Sequence, residues 1–235
     1  MKLLDLVPVT ADVITPEMEA YIGKYLSEET VLESDQITDG PVTIECEYDE
    51  AMAQADVIKH CIQAEKGGYA GVFINCFGDP GVRAAREVVD IPVFGGFEPA
   101  IHTALGLTDK IAIVTVLKNV LPLIASEIAK AHLTNRVPIV KSVDIPVLDL
   151  QNHDKLCRSL IEESIKAIEE DGVGGIVLGC TAMIDVAETV RDGLLSSGYD
   201  VPVIEAAQTA VMMLEMYAKM NLKQSRVTYM PIPKK

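Results

Sequence analysis

Val173-Gly-Gly-Ile-Val-Leu-Gly-Cys180-Thr-Ala-Met183 and Tyr69-Ala-Gly-Val-Phe-Ile-Asn-Cys76-Phe-Gly-Asp-Pro-Gly81 decide the fold. Each is a short apolar run without helical periodicity, then a cysteine, then small or polar residues ahead of a helical segment. That pattern describes a buried parallel strand delivering a thiol to its carboxyl end. In open α/β sheets ligands bind along that edge, so two such thiols in one chain point to a paired site.

Working outward, strands alternate with helices along the chain. Strands are expected at Leu3–Val7, Glu29–Ser34, Ile91–Phe94, Ile111–Val116, Ile139–Val143 and Val201–Ile204, besides the two cysteine strands; Val42–Cys46 is ambiguous. Thr15-Pro16-Glu17 combines an N-cap, a first-turn proline and an acidic residue, and opens a helix to about Leu26. Further helices are expected at Asp49–Lys66 (stopped by Gly67-Gly68), Pro80–Val89, Glu98–Leu107, Val120–Ala131, His153–Glu170, Ile184–Leu195 and Ala206–Met220. The fold class is therefore α/β with mostly parallel sheets. The tail from Asn221 to Lys235, basic and carrying two prolines, is expected on the surface.

An internal repeat sharpens this. Ile91-Pro-Val-Phe-Gly-Gly-Phe-Glu-Pro-Ala-Ile aligns without gaps on Val201-Pro-Val-Ile-Glu-Ala-Ala-Gln-Thr-Ala-Val, and Cys76 corresponds to Cys180, with six more residues between these markers in the second copy. Leu3–Thr10 and Ile111–Thr115 form a third matching pair. Two copies are too few for a solenoid. Two pseudo-symmetric, Rossmann-like lobes facing one cleft account for the repeat.

Composition narrows the function. The net charge of −15 disfavours nucleic acid and anionic membranes as partners. No stretch approaches ~18 uncharged apolar residues, and Asp5 and Pro8 interrupt the opening run too soon for a secretory signal. Five cysteines without regular spacing argue against a disulfide framework and for a reducing, cytoplasmic setting. No pattern suggests zinc, pyridoxal phosphate or a dinucleotide. A lone strand-end cysteine ordinarily fills core space; two at equivalent points of a duplicated unit suggest a shared catalytic edge. Cys46, Cys61 and Cys157 lack that context and read as structural.

The chain resembles the aspartate/glutamate racemase superfamily, most closely its hydantoin/allantoin racemase branch. The resemblance runs from about Tyr48 to Leu214. It is carried by Cys76-Phe-Gly-Asp-Pro-Gly81, Ala84-Ala-Arg-Glu87, Leu178-Gly-Cys-Thr-Ala-Met183, Tyr48-Asp49-Glu50-Ala51, Glu98-Pro-Ala-Ile-His102 and Ile145-Pro-Val-Leu-Asp149. It implies a racemase needing no cofactor, with the lobes clasping a small-molecule substrate between Cys76 and Cys180. One thiolate removes the proton from the stereocentre and the other thiol returns one from the opposite face. The family's first lobe takes in both chain ends, which implies residues 1–96 plus 206–235 for one lobe and 97–205 for the other. A homo-oligomer is expected.

The chemistry fits the residues. Inversion at carbon needs a base on one face and an acid on the other, and a thiol of pKa ~8.5 serves both roles when a helix N-terminus lowers it. The helices after Cys76 and Cys180 are expected to supply that field. Backbone N–H groups of Phe77, Gly78, Thr181 and Ala182 are candidate donors to the developing enolate, and Thr10, Thr115 and Thr181 candidate substrate contacts.

Three segments depart from the branch. Its polar Asn-Pro-Asn-Thr/Ser turn is here Val7-Pro-Val-Thr10, its small hydroxyl residues after the Ile111–Thr115 strand are Val116-Leu-Lys118-Asn119, and Gly95-Gly96-Phe97 replaces an apolar-small turn. The substrate therefore stays open between a cyclic ureide and, on the same scaffold, an amino acid or a maleate-type acid; a binding protein without turnover is the non-enzymatic alternative. Lys118 reads as a solvated helix-start residue or a contact for an anionic group, His102 as a packing or supporting residue, Glu98 as a first-turn acid, Asp79 as the cap of the helix after Pro80, and the Val211–Met216 stripe as core.

Overall fold

The computed structural model describes residues 1–233. In chain order the elements are β1 (Lys2–Val7), α1 (Pro16–Ile22), β2 (Val31–Gln36), α2 (Glu47–Lys66), β3 (Gly71–Ile74), α3 (Val82–Val88), β4 (Val93–Phe94) and α4 (Phe97–Leu105). They continue with β5 (Ala112–Thr115), α5 (Leu121–Lys130), β6 (Ile139–Ser142), α6 (His153–Asp171), β7 (Ile176–Leu178), α7 (Ala187–Ser196), β8 (Val203–Glu205) and α8 (Ala206–Lys219).

The strands form two four-stranded sheets, β2-β1-β3-β4 and β6-β5-β7-β8, parallel throughout. The second order is the first transposed onto the later strands, so the sequence repeat is a repeat of topology. Each cysteine follows the strand beside its sheet's first strand in the chain. Leu4, Leu6, Val72, Ile74 and Val93 pack against α2 and α3 on one face of the first sheet. Leu3, Leu32, Phe73 and Phe94 pack against α1 and α8 on the other. The second sheet is the centre of a larger core with α4, α5, α6 and α7. The helix after each fourth strand thus crosses to the opposite sheet: α4 covers the second, α8 the first.

Local chemistry explains the element ends. Thr15 Oγ1 accepts the Met18 N–H at 3.1 Å with Pro16 in the first turn, the expected cap of α1. Gly172 ends α6 with φ 65°, a left-handed conformation that glycine adopts without steric penalty. Val42–Cys46 forms no strand; Cys46 instead precedes α2, and its Sγ donates to Asp49 Oδ2 at 3.2 Å.

Four expectations change. Asp79 does not cap α3: it sits at φ 56°, and Oδ1 accepts the first N–H of α4, at Phe97, at 3.0 Å. Gly81 precedes α3 without a side-chain cap. In α8, Val211 and Leu214 are core but Met212 and Met216 are exposed, because only one helical face meets the first sheet. His102 lies exposed on α4, outside the buried core. Glu98 goes beyond a first-turn acid: it accepts from buried Arg86 at 2.6 Å, whose other donors reach Val93 O at 2.9 Å and Tyr229 Oη at 3.1 Å. That junction holds α3, β4, α4 and the tail together, and Arg226 binds the tail to Asp90 and the α3 carbonyls. Among the described residues no helix is long and apolar enough to cross a membrane.

Candidate active site

The carboxyl ends of β3 and β7 deliver Cys76 and Cys180 to one cavity of about 520 Å3. Gly96 shows how closely the two turns approach. A Cβ built there would lie 2.8 Å from Thr181 Cγ2, 3.2 Å from Phe77 Cα and 3.3 Å from Cys76 O, and the Gly96 N–H already donates to Cys76 O at 3.0 Å. Gly179 is required for a similar reason: a Cβ would meet Ile113 Cγ2 at 2.5 Å and Thr115 Cβ at 3.0 Å. Glycine in these turns is a packing necessity that allows both thiol loops to reach the seam between the lobes.

Both thiols are partly buried, and both are held above their ordinary pKa. For Cys180 burial pushes the thiol up to about 11, opposed by the N–H groups of Ala182 and Met183, with Glu45 adding like charge. For Cys76 burial pushes further in the same direction; the Gly78 N–H opposes it, and Cys180, Glu50 and Asp79 add to it. The expected lowering by helix N-termini is not realised, since α3 starts only at Val82 and α7 only at Ala187, and the dipole field fades within a turn. Desolvation dominates instead. The backbone amides of Gly78 and Ala182, expected to face an enolate, act first on the sulfurs.

Of the other expected contacts, Thr181 and Ala182 line the cavity, and Thr10, Phe77, Gly78 and Thr115 do not. Thr115 is fully buried and donates to Gly179 O at 2.8 Å, bracing the Cys180 turn from below. Thr10 donates to Pro41 O through Oγ1 at 3.1 Å, tying the first turn to the following loop. Phe77 packs edge-on against Phe97, ring centroids 5.7 Å apart. Lys118 is exposed and pairs with Asp144 at 2.8 Å, the solvated role expected of it.

Sequence reasoning missed most of the cavity wall. Val7, Pro8, Val9, Ala11 and Val13 form one side, Val42 and Ile44 another, and Val147, Leu148, Leu150 and Ile184 the wall from the second lobe. Polar groups are few: Asn75, Thr15, Thr43, Tyr21, Gln151 and His153, with Glu17 and Asp185 as the acids. No lysine or arginine among the described residues lines it. Asn75 alone carried a signal, a polar residue at the end of an otherwise apolar strand immediately before the cysteine.

Two parallel α/β lobes closing on one thiol-lined cavity define a two-lobed protein of the racemase class. The model of the family Asp/Glu/Hydantoin racemase matches residues 6–214, and the chain belongs to that family. A hydantoin racemase from Pseudomonas sp. (strain NS671) is 31% identical over 197 residues, 83% of this chain and 77% of that protein. Allantoin racemase from Klebsiella pneumoniae superposes with a TM-score of 0.88 at 29% identity, covering 100% of this chain and 94% of that one. Allantoin racemase from Pseudomonas fluorescens superposes with a TM-score of 0.90 at 26% identity, covering 100% and 99%. The protein is an isomerase of the racemase type.

Proposed function

We propose that the chain racemises a cyclic ureide of the hydantoin type, with Cys76 and Cys180 as opposed acid and base. The observation that carries this is the arrival of two thiols, from equivalent strand ends of a repeated topology, at one cavity. In the forward step a thiolate takes the proton from the stereocentre, forming S–H as the C–H bond breaks, and the electron pair moves onto the adjacent ring carbonyl. The opposite thiol then gives its proton to the other face, so the ring ends inverted and the two sulfurs exchange protonation states. High thiol pKa values suit this chemistry, because a desolvated thiolate is a stronger base toward a carbon acid.

The lining favours a neutral ring over charged substrates. Aspartate, glutamate and maleate would bring carboxylates into a cavity that carries Glu17 and Asp185 and, among the described residues, no lysine or arginine. The aliphatic wall further favours an apolar substituent on the ring over the polar ureido arm of allantoin, and the volume suits a substituted ring. The same reading takes 1–96 with 206–235 as one lobe and 97–205 as the other. Its support is the crossing over of α4 and α8.

Incubation of one enantiomer of 5-benzylhydantoin and of allantoin in D2O tests the proposal, followed by proton NMR and polarimetry. Loss of the stereocentre proton together with loss of rotation is expected, fastest for the benzyl compound, and Cys76→Ser or Cys180→Ser should abolish it. Absence of exchange and of rotation change with every hydantoin, by protein whose thiols titrate normally, overturns it.

A further inference from the structure

The carboxyl edge of the first sheet carries a buried polar row that the thiol chemistry leaves unused. On the face turned toward α1 and α8, β1 runs from Leu3 to Asp5, β2 from Leu32 to Ser34, and β3 from Phe73 toward Asn75, just beyond its end. Side chains two residues apart share a face of a strand. The register Asp5↔Ser34 and Asp5↔Phe73 therefore sets Ser34, Asp5 and Asn75 along the same edge on three adjacent strands.

Asp5 is fully buried. Its Oδ2 accepts from Ser34 Oγ at 3.1 Å, and Ser34 N donates in turn to Glu19 Oε2 at 2.9 Å. Oδ1 is buried with no hydrogen-bond partner, and the side chain of Asn75 is, beside Ser34, the group that opposes the rise burial imposes on the carboxyl. Asn75 is fixed through its backbone N–H to Leu6 O at 2.8 Å, and the residue lines the cavity beside Cys76. An aliphatic residue at position 5 would pack this strand without burying a carboxyl group. The acid sits under the one polar residue of β3's end, at a cavity whose first turn, Val7-Pro8-Val9, offers only apolar side chains.

We propose that Asn75 recognises a ring N–H of the substrate and that Asp5 is its positioning residue. The Asp5 carboxylate draws the Asn75 NH2 group inward, which turns the carboxamide oxygen to the cavity as an acceptor. With the amide reversed, NH2 would face the substrate's N–H, donor against donor. This rests on the cyclic-ureide reading, since such rings carry N–H groups beside the reacting carbon.

The surroundings of Asp5 make the arrangement sensitive to pH. The groups acting on it are Glu19 from α1, neutral Ser34 from β2 and neutral Asn75 from the end of β3, Phe73 is its register partner, and the α8 residues on this sheet face, Ala207, Ala210 and Val211, carry no charge. Burial raises Asp5 to about 7, with Ser34 and Asn75 opposing and Glu19 adding to the rise. Protonation near neutrality weakens the acceptor and adds an O–H that can donate to the Asn75 carboxamide oxygen, so the orientation is lost and KM should rise as pH falls through about 7.

Steady-state racemisation of 5-benzylhydantoin and of its N1-methyl derivative, from pH 5.5 to 9, tests this. Asn75→Ala should raise KM for the N–H compound roughly tenfold at pH 8, with kcat within about threefold and KM for the methylated compound unchanged, the size expected for one lost hydrogen bond. Asp5→Asn should hold KM at the wild type's acidic value across the range. Ser34→Ala, which keeps the carboxyl but removes a bond to its charged form, should move the midpoint of the KM profile to higher pH, and it serves where Asp5→Asn does not fold. An unchanged KM in Asn75→Ala, or equal losses for both compounds, overturns the recognition role. A wild-type KM profile in Asp5→Asn, or an unmoved midpoint in Ser34→Ala, overturns the positioning role. A wild-type chain that racemises neither compound overturns the cyclic-ureide reading itself, a separate result from any of these.

Discussion

Replacing Gly95 by alanine should destabilise the protein by about 3 kcal/mol, although Gly95 has no left-handed backbone and touches no thiol. A Cβ at position 95 would stand 2.0 Å from Asp79 Oδ1, 2.5 Å from Asp79 Cγ and 3.0 Å from Asp79 Cα. The carboxyl must swing away, and Phe97 N, at the buried start of α4, loses the acceptor it holds at 3.0 Å. An orphaned buried N–H costs ~1–3 kcal/mol, and forcing the Asp79 backbone aside adds ~1 kcal/mol or more. Against a total stability of ~5–15 kcal/mol and a urea slope of ~2–3 kcal/mol/M, the midpoint should fall by about 1 M. Asp79→Gly removes the two nearest obstructing atoms, Oδ1 and Cγ, and suits φ 56°. In that background Gly95→Ala should cost less than ~1 kcal/mol, a coupling of about 2 kcal/mol in a double-mutant cycle. A cost under ~1 kcal/mol for Gly95→Ala alone, or the same cost in both backgrounds, refutes the steric account.

Thr115→Val should lower stability by ~1–2 kcal/mol through the lost bond to Gly179 O while leaving KM unchanged; a raised KM with unchanged stability would restore Thr115 as a substrate contact. With Cys180 pushed up to about 11, its alkylation by iodoacetamide in the substrate-free protein should accelerate about tenfold per pH unit from 7 to 10, and a rate flat over that range would contradict the desolvated site. Stability should peak at mildly acidic pH. Asp56 and Glu215 are both held at about 2, since hydrogen bonds from Thr38, Asp39 and Lys59 to the first, and from Thr30, Ser27 and Lys219 to the second, outweigh burial. Their contribution is present above about 4 and lost as pH falls through 2. Asp5 and Glu205, raised by burial to about 7, work in the opposite sense, and their contribution is lost as pH rises from about 4 through 7. Asp56→Asn should therefore cost about 2 kcal/mol at pH 7 and flatten the acid limb of a urea-midpoint profile; an unchanged limb would count against it.

Most of the architecture was legible because it is written in local terms. Unpatterned apolar runs ending in Cys76 and Cys180 mark parallel strands buried on both faces, and Thr15-Pro16 announces a helix start that the structure reproduces. The repeat of Ile91–Ile101 at Val201–Val211 predicted matched lobes, and the strand orders match. Asp79 shows where local reading stopped. Its position before Pro80 suggests a cap for the next helix, yet the turn rotates it into φ 56° and gives it to α4. Thr115 stands at a strand end as expected, but the neighbouring strand buries it under Gly179.

The amino-acid order by itself determined the α/β class, the duplication and the pair of strand-end thiols, because periodicity, glycine turns and repeats act over a few residues or recur visibly along the chain. Tertiary structure decided what surrounds those thiols. The wall built from Val7–Val13, Val42–Ile44 and Val147–Leu150, the burial that raises both sulfurs, and the alignment of Asp5 behind Asn75 all join segments distant in sequence. Desolvation depends on everything packed around a group, and it outweighed the helix-terminus field that the local sequence around each cysteine suggested.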